Sequence, residues 1–390
     1  MSAVRLRKNQ DRRLRTGHPW VFSNEIEEYV GPVEDGDILD VIDHRGAFLG
    51  RGYVNRGSLI AVRVLTRGRD EIDAAFFRKR IERALAYRQG LYPGDTAMRV
   101  VNAEGDGLPG LVVDRYADVL SVGVHTLGMD QRRDLIRDVL QELLRPRAIV
   151  LRADSPIREL EGLPLERRAW SGEEGATPEV VVGGLRFVVD PLEGQKTGLF
   201  LDQRDNRKRL DGRVAGRKVL DVFASTGSWA AAALGYGASE ATLVESSRSA
   251  LDGAERNLRL NDLIDRSRLV HGDAFEFLRE LGRGRERFGA IVLDPPALVK
   301  KRGQLAKGLR AYQEINRLAM VLLEEGGWLF SSSCSHPVSQ EDLRQVVSQA
   351  AREAKRPFRL IEWGFQSLDH PVLLAAPETA YLKCIVLRSL

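Results

Sequence analysis

Cysteine is almost absent from this chain: two residues in 390, Cys334 and Cys384. Two thiols cannot build the disulfide framework of a small secreted domain, and no cysteine–histidine grouping has zinc-site spacing, so the composition points to a reducing compartment. Long apolar runs are missing too. Nothing approaches 18 consecutive apolar residues, and the opening MSAVRLRKNQDRRLRTGHPW lacks the apolar centre of a signal peptide. These absences predict a soluble cytoplasmic protein with no membrane partner. Internal repeats and low-complexity tracts are also lacking.

Charge of one sign is scarce in total, with 59 basic against 55 acidic side chains and a net charge of +4. Its distribution is less even. Arg5, Arg7, Lys8, Arg12, Arg13 and Arg15 face a single acid, Asp11, within the first 20 residues. A second cluster, Lys300, Lys301, Arg302, Lys307 and Arg310, follows a DPP tripeptide. Either cluster alone reads equally well as a solvated surface segment; two of them flanking a catalytic motif favour a polyanion such as nucleic acid.

At 390 residues the chain is too long for one core and predicts two or three domains. Residues 1–70 alternate apolar and polar positions with glycine breaks (DILDVID, AFLGRGYVN, LIAVRVLT), the pattern of a small β-barrel. Residues 71–185 open with an amphipathic helix, DAAFFRKRIERALAYRQGL, and continue as a compact α+β unit. Within it, 161–179 (EGLPLERRAWSGEEGATPE) reads as an exposed connection because charge, Gly and Pro dominate. From 186 to 390 apolar strands alternate with helices: KVLDVFA, WAAAALGYG, EATLVES, SALDGAERNLRLND, RLVHGDA and AIVLDPP. This alternation predicts a doubly wound parallel sheet with ligands at the carboxyl ends of its strands.

The first strand-to-helix turn of that sheet, DVFASTGSWAAA, places Asp221 on a strand and Ser225, Thr226, Gly227 and Ser228 in a tight turn. Small residues allow backbone to approach a ligand closely. Carboxylates then recur at strand ends: Glu245, Asp273 and Asp294. One such acid is usually a helix cap or a turn residue; four in succession argue for a ligand crevice. The series resembles the class I S-adenosylmethionine-dependent methyltransferases. That resemblance implies that Asp221 and Gly227 border the methionine part of the cofactor, with Ser225 in the same turn. It further implies that Glu245 holds the ribose and Asp273 faces the adenine, with Asp294 closing the crevice. A flavin or NAD enzyme is the rival; it explains Glu245 but gives Asp294-Pro295-Pro296 no role.

Two prolines after Asp294 remove backbone donors and fix local dihedrals, holding the carboxylate rigidly at a strand end. The resemblance to methyltransferases implies that such a motif faces the amino edge of a planar acceptor and serves either attack by an exocyclic amine or methylation of a ring carbon activated by a nucleophile. A thiolate suits the second chemistry. Cys334, in the polar run SSSCSHPVS, lies one helix and one strand beyond Asp294, so both side chains are expected to converge on one base. A lone cysteine is commonly inert and buried; Cys384, in YLKCIVLRSL, fits that description better.

GQKTGLFLDQRDNR (194–207), the DPP motif, SCS around Cys334, DHPV (369–372) and YLKC (381–384) together resemble the rRNA large-subunit methyltransferase I family. That family makes 5-methylcytosine in 23S rRNA. GHPWVFSNEI is similar to its PUA RNA-binding domain and EGDGLPGLVVDRY to its central domain, so the likeness spans nearly the whole chain. It implies a PUA domain, a central α+β domain and a Rossmann-like methyltransferase domain. It also implies that Gln195 to Arg204, including Lys196, Thr197, Phe200 and Asp202, border the cofactor pocket, and that Cys334 is the nucleophile. Arg5, Arg7, Lys8, Arg12, Arg13, Trp20, Lys300 and Lys301 are the candidate RNA contacts. Ser225-Thr226-Gly227-Ser228-Trp229 departs from the family's usual turn, and Ala297 and Leu298 follow DPP where the family commonly has an aromatic ring. An exocyclic-amine methyltransferase and a non-catalytic RNA-binding factor stay open at this point, as does a homodimer.

Overall fold

The structure, a computed structural model, describes residues 2–194 and 199–390. Its contacts divide the chain into two compact units. The first comprises Met1–Pro178, Val189–Gly198 and Asp369–Thr379, the second Glu179–Val188, Leu199–Leu368 and Ala380–Leu390.

In the first unit, the alternating segments near the start become β1 (Ala3–Leu6), β2 (Trp20–Phe22), β3 (Ile26–Val30), β4 (Ile38–Ile42), β5 (Phe48–Val54) and β6 (Ile60–Thr66). They form one sheet of order β2-β6-β5-β4-β1-β3, antiparallel except where β1 runs beside β4. Val4, Leu6, Val21, Leu39, Val41, Val54, Val62 and Val64 project into a common core, joined by Leu14 of the short helix α1 (Arg12–Arg15). Burying each such side chain is worth ~1.5–3 kcal/mol.

A second sheet of order β11-β10-β9-β8-β7 is built from β7 (Ala97–Asn102), β8 (Leu111–Tyr116), β9 (Val119–Val124), β10 (Ala148–Ala153) and β11 (Glu166–Gly172). Helix α2 (Ala74–Arg88) starts where the Asp73 carboxylate accepts the Phe76 amide, and it turns Phe77, Ile81 and Ala84 onto this core. A one-turn helix, α3 (Leu127–Asp130), precedes α4 (Arg133–Leu144), which adds Ile136, Val139 and Leu140.

Strand β11 corrects the expectation that 161–179 is an exposed connection: residues 166–172 pair antiparallel with β10. An edge strand needs only one buried side chain in its middle. Trp170 fills that role while Arg167 and Arg168 stay exposed, so charge masked the strand.

The DHPV segment also belongs to the first unit. Arg88 is 2% exposed; it makes a bidentate pair with Asp106 at 2.8 and 3.0 Å and donates to the Asp369 carbonyl at 2.7 and 3.1 Å. The Asp369 carboxylate accepts the Arg99 amide at 2.9 Å and lies 2.8 Å from His370 Nδ1.

The second unit begins with the hairpin β12 (Glu179–Val182) and β13 (Leu185–Val188). Its seven-stranded sheet contains β14 (Lys218–Val222), β15 (Glu240–Glu245), β16 (Ser267–His271), β17 (Phe288–Leu293), β18 (Leu323–Ser333), β19 (Phe358–Phe365) and β20 (Lys383–Ser389). The order is β16-β15-β14-β17-β18-β20-β19, with β14 to β18 parallel and β20 antiparallel to both neighbours. The helices are α5 (Arg204–Lys208), α6 (Ser228–Gly235), α7 (Arg248–Leu260), α8 (Ala274–Arg283), α9 (Leu305–Leu322) and α10 (Gln340–Glu353). The last three share one apolar core with the strands. Strand order reverses at β14, where sheets of this kind bind ligands beyond the strand ends. Helix α9 passes directly into β18, which opens at Leu323. No helix among the described residues is long and apolar enough to cross a membrane.

Candidate active site

After β14 the backbone turns back on itself through Phe223 (φ 66°), Ser225 (φ 49°) and Gly227 (φ 78°). Left-handed geometry at two non-glycine residues costs roughly 1–2 kcal/mol each, and such turns concentrate at ligand sites. Gly227 is required here: a Cβ would stand 3.0 Å from the Ala254 Cβ and 3.2 Å from Leu243 Cδ2. Asn257 braces the turn by donating to the Thr226 carbonyl at 3.0 Å, while its own oxygen accepts the Val188 amide of β13 at 3.0 Å.

Glu245, at the end of β15, accepts the Ser225 amide on one oxygen and the Ser247 amide on the other, each at 2.8 Å. The oxygen bound by Ser247 also accepts the Ser246 hydroxyl at 3.3 Å, and the oxygen bound by Ser225 keeps a second acceptor site for a hydroxyl donor. Asp221 is wholly buried on β14, its carboxylate turned to the Ala230 amide of α6 at 3.0 Å. Burial, reinforced by the charges of Asp294 and Glu245, pushes its carboxyl up to about 8. Asp273 is exposed beyond β16 and caps α8 by accepting the Phe275 and Glu276 amides. Phe200 is half-buried; Asp202 is buried and accepts the Tyr381 hydroxyl at 2.8 Å. Lys196 and Thr197 lie outside the described residues.

Asp294 stands one residue past β17, with Gln203 donating to one oxygen at 2.7 Å and the Trp229 indole to the other at 3.0 Å. Leu293 of β17 is in register with Ser331 of β18, so the parallel strands end side by side and Cys334 emerges next to the DPP turn. The half-buried Cys334 Sγ lies 3.9 Å from the Pro295 carbonyl oxygen.

That thiol sits on a turn held from three directions. Ser335 Oγ accepts the Val299 amide at 3.1 Å, and Tyr312 of α9 lies within hydrogen-bond distance of both Ser333 and Ser335. Lys383, at the start of β20, donates to the carbonyls of Ser335 at 3.0 Å and Val338 at 2.7 Å. Burial lowers its ammonium to about 8, opposed by the negative charge available at Cys334. His336 and Tyr381 approach with ring centroids 5.7 Å apart, an aromatic pair close to the cysteine in a site whose DPP turn carries no ring.

Sequence reasoning missed Trp229, Tyr312 and Lys383 as parts of this arrangement. Trp229 stood out only as a departure in the turn, although an indole N–H near a strand-end carboxylate is a usable signal. Lys383 sits beside Cys384 in YLKC, and only strand pairing reveals that it reaches the turn after Cys334.

The candidate RNA contacts divide into tethered and free. Arg5 pairs with Glu28 at 2.9 Å, Arg7 donates to the Ile26 carbonyl at 3.0 Å, and Arg13 covers the Phe22 ring and lies 3.6 Å from Glu25. Trp20 donates its indole N–H to Glu104 at 2.9 Å. Lys8, Arg12, Lys300 and Lys301 are exposed.

A PUA-like domain model matches residues 4–67, and a model described as S-adenosylmethionine-dependent methyltransferase matches residues 123–383. The ribosomal RNA large subunit methyltransferase I of Aeromonas hydrophila is 38% identical, covering 100% of this chain and 99% of its own. That of Shewanella amazonensis is 39% identical over 99% and 98%. Among solved structures, a putative S-adenosylmethionine-dependent methyltransferase from Streptococcus mutans superposes with a TM-score of 0.86 at 20% identity, covering 100% of both chains. A putative methyltransferase complexed with S-adenosylhomocysteine gives 0.87 at 19%, again over 100% of both. At those identities the structural likeness is one of fold.

The residues present fit S-adenosylmethionine: Glu245 retains acceptor capacity for a ribose hydroxyl on the oxygen bound by Ser225, Gly227 keeps the turn open, and the charges of Glu245 and Asp294 suit a sulfonium cation. The fold, the turn after β14, the carboxylates at the strand ends and full-length relatives at nearly 40% identity converge, and the chain belongs to the ribosomal RNA large subunit methyltransferase I family of S-adenosylmethionine-dependent enzymes.

Proposed function

We propose that this chain methylates carbon 5 of a cytosine in 23S ribosomal RNA through a covalent adduct on Cys334. One observation carries the reading: the only cysteine outside a buried strand stands on a pinned turn, its sulfur 3.9 Å from the carbonyl of Pro295, the residue after Asp294. The bound cofactor supplies an electrophilic methyl group. Aromatic carbon 5 is too weakly nucleophilic to take it unaided, and a thiolate is both a good attacking and a good leaving group.

In this scheme Cys334 Sγ adds to carbon 6, which places electron density on carbon 5 and on the ring nitrogen side of the base. Asp294, oriented by Gln203 and Trp229, accepts from the exocyclic amine and holds the ring edge. Once carbon 5 carries the methyl group, loss of its proton to a base drives electrons back into the ring and breaks the sulfur–carbon bond, restoring the thiolate. Lys383 favours that thiolate by its positive charge and fixes the turn that carries it. His336 and Tyr381 offer ring surface to a base displaced from its stack; unstacking costs about a few kcal/mol, offset by phosphate contacts.

Ribosomal RNA in which cytosine is replaced by 5-fluorocytosine tests the adduct, because fluorine at carbon 5 cannot leave as a proton. The expected outcome is a denaturation-resistant protein–RNA complex whose crosslink maps to Cys334. Methylated RNA that yields N-methyladenosine or N-methylcytosine on digestion, with no such complex, points to the exocyclic-amine chemistry and sinks the proposal.

A further inference from the structure

A cavity of about 390 Å³ in the first unit is separate from the residues around Cys334. Its walls come from the end of β6, one face of α2, the Glu104–Gly107 turn and Pro371. Arg67, Arg80 and Arg83 all line it. Arg67 donates to the Leu49 carbonyl at 3.2 Å and the His18 carbonyl at 2.9 Å; Arg80 donates to the Leu65 carbonyl at 2.9 Å and lies over the Phe76 ring. Both are held by neutral groups, with no carboxylate in ion-pair range among the described residues. Arg83 is exposed and has no hydrogen-bond partner among them.

The cavity's own acids are committed elsewhere. Asp106 is bound by Arg88 through two bonds, and Glu104 accepts the Trp20 indole. Three guanidiniums and two carboxylates therefore line the cavity, and the charge of Asp70 acts on Arg80 from outside the lining. Desolvation lowers the proton affinity of Arg67 and Arg80, and for Arg80 the charge of Arg83 adds to it. Guanidiniums stay protonated even so, and gathering them on uncharged acceptors leaves an attraction for an anion unspent. Gly107 (φ 70°) keeps Arg80 in place, since a Cβ there would come within 2.7 Å of its Nη1. Tyr87, 47% exposed, forms the lip, with the Arg88 guanidinium 5.4 Å from the centre of its ring.

We propose that this cavity is a phosphate-binding site for the RNA substrate, in which Arg67, Arg80 and Arg83 grip one backbone phosphate of a single-stranded segment and Tyr87 lies against the adjoining nucleoside. Planar guanidiniums bind phosphate oxygens in forked pairs, which a patch of solvated lysines does not reproduce. The inference rests on the chain acting on RNA, and it concerns a contact remote in sequence from the basic N-terminal residues and from Lys300 and Lys301.

The test uses the full-length chain, a fluorescein-labelled single-stranded RNA and, separately, inorganic phosphate. Arg83→Glu is expected to weaken RNA binding ~10-fold at low salt and to flatten the dependence of log Kd on log salt by about one unit per lost phosphate contact. Arg83→Lys is expected to retain binding within ~3-fold, and cofactor affinity is expected to be unchanged in both. Phenylglyoxal modification supplies a readout independent of substitution: Arg83 is expected to react in the free protein and to be protected by RNA. Wild-type RNA affinity and salt slope in Arg83→Glu, or protection by inorganic phosphate but not by RNA, would overturn the site while leaving the methyltransferase reading standing. A wild-type chain that binds no RNA at all would instead overturn that reading.

Discussion

The two cysteines belong to neighbouring segments, Cys384 within β20 and Cys334 just past the end of β18, and they sit in opposite environments. Cys384 is opposite Ser332 in the middle of the β18–β20 pairing and wholly buried, so burial pushes its thiol up to about 12. Cys334 is only two residues beyond that same Ser332, yet it has left the ladder and stands half-buried on a turn beside Asp294. A wholly buried thiol and a half-buried one are therefore set by positions two residues apart on one strand and its turn. The difference comes from where the strand stops and from the lysine that β20 delivers to the turn.

Replacing each thiol in turn breaks the comparison most sharply. Cys334→Ala is expected to lower the methylation rate at least ~10³-fold while cofactor binding persists, by analogy with removing other covalent nucleophiles. Cys384→Ala is expected to keep the rate within ~2-fold and to cost about 1 kcal/mol of stability. Timed alkylation with iodoacetamide, read by mass spectrometry, should label Cys334 and leave Cys384 untouched in the native protein; the reverse order would end the distinction.

Lys383→Met sharpens the comparison next. Lys383 carries its charge below about pH 8, where it favours a neighbouring thiolate. Without it the acid limb of the rate–pH profile is expected to move up by about one unit, a ~10-fold loss at pH 7. A uniform fall at every pH, with no shift of the limb, would mean that Lys383 only supports the turn.

Asp221 gives the smallest effect and a contrast within the same sheet. Its carboxyl titrates at about 8 when folded, against an ordinary value near 3.8. Between those values the folded state holds more protons than the unfolded one, so its contribution to stability is full below about pH 4 and declines as pH rises toward 8. Asp221→Asn keeps an acceptor for the Ala230 amide and removes that decline. The difference in Tm between variant and wild type is expected to grow by a few degrees from pH 5 to pH 8 in favour of the variant. A difference that stays constant with pH would show that the group does not titrate there.

Much of this site was legible in the sequence because each element is local. Strand-end acids follow apolar runs, and the interval from Asp294 to Cys334 holds one helix and one strand, so parallel pairing alone brings the two together. What stayed hidden depends on chain segments that meet only in three dimensions. Lys383 reaches the Cys334 turn because β20 runs antiparallel to β18. Tyr381 meets Asp202 across 179 positions. Strand β11 escaped notice for a different reason: only Trp170 of this edge strand is buried, and the exposed Arg167 and Arg168 look like loop. Asp273 caps α8 through a single carboxylate oxygen, a role that its place after an apolar strand does not distinguish from that of a crevice acid.

The guanidinium of Arg88 waits for its partner. Residues 369–379 complete the first unit, and the Asp369 carbonyl that Arg88 binds is made 281 positions after it. A nascent chain emerges amino end first, so the first unit cannot reach its final hydrogen bonding until most of the seven-stranded sheet of the second unit has been translated. Order of synthesis thus couples maturation of the arginine-lined cavity, whose wall includes Pro371, to production of β18 and the turn after it that carries Cys334.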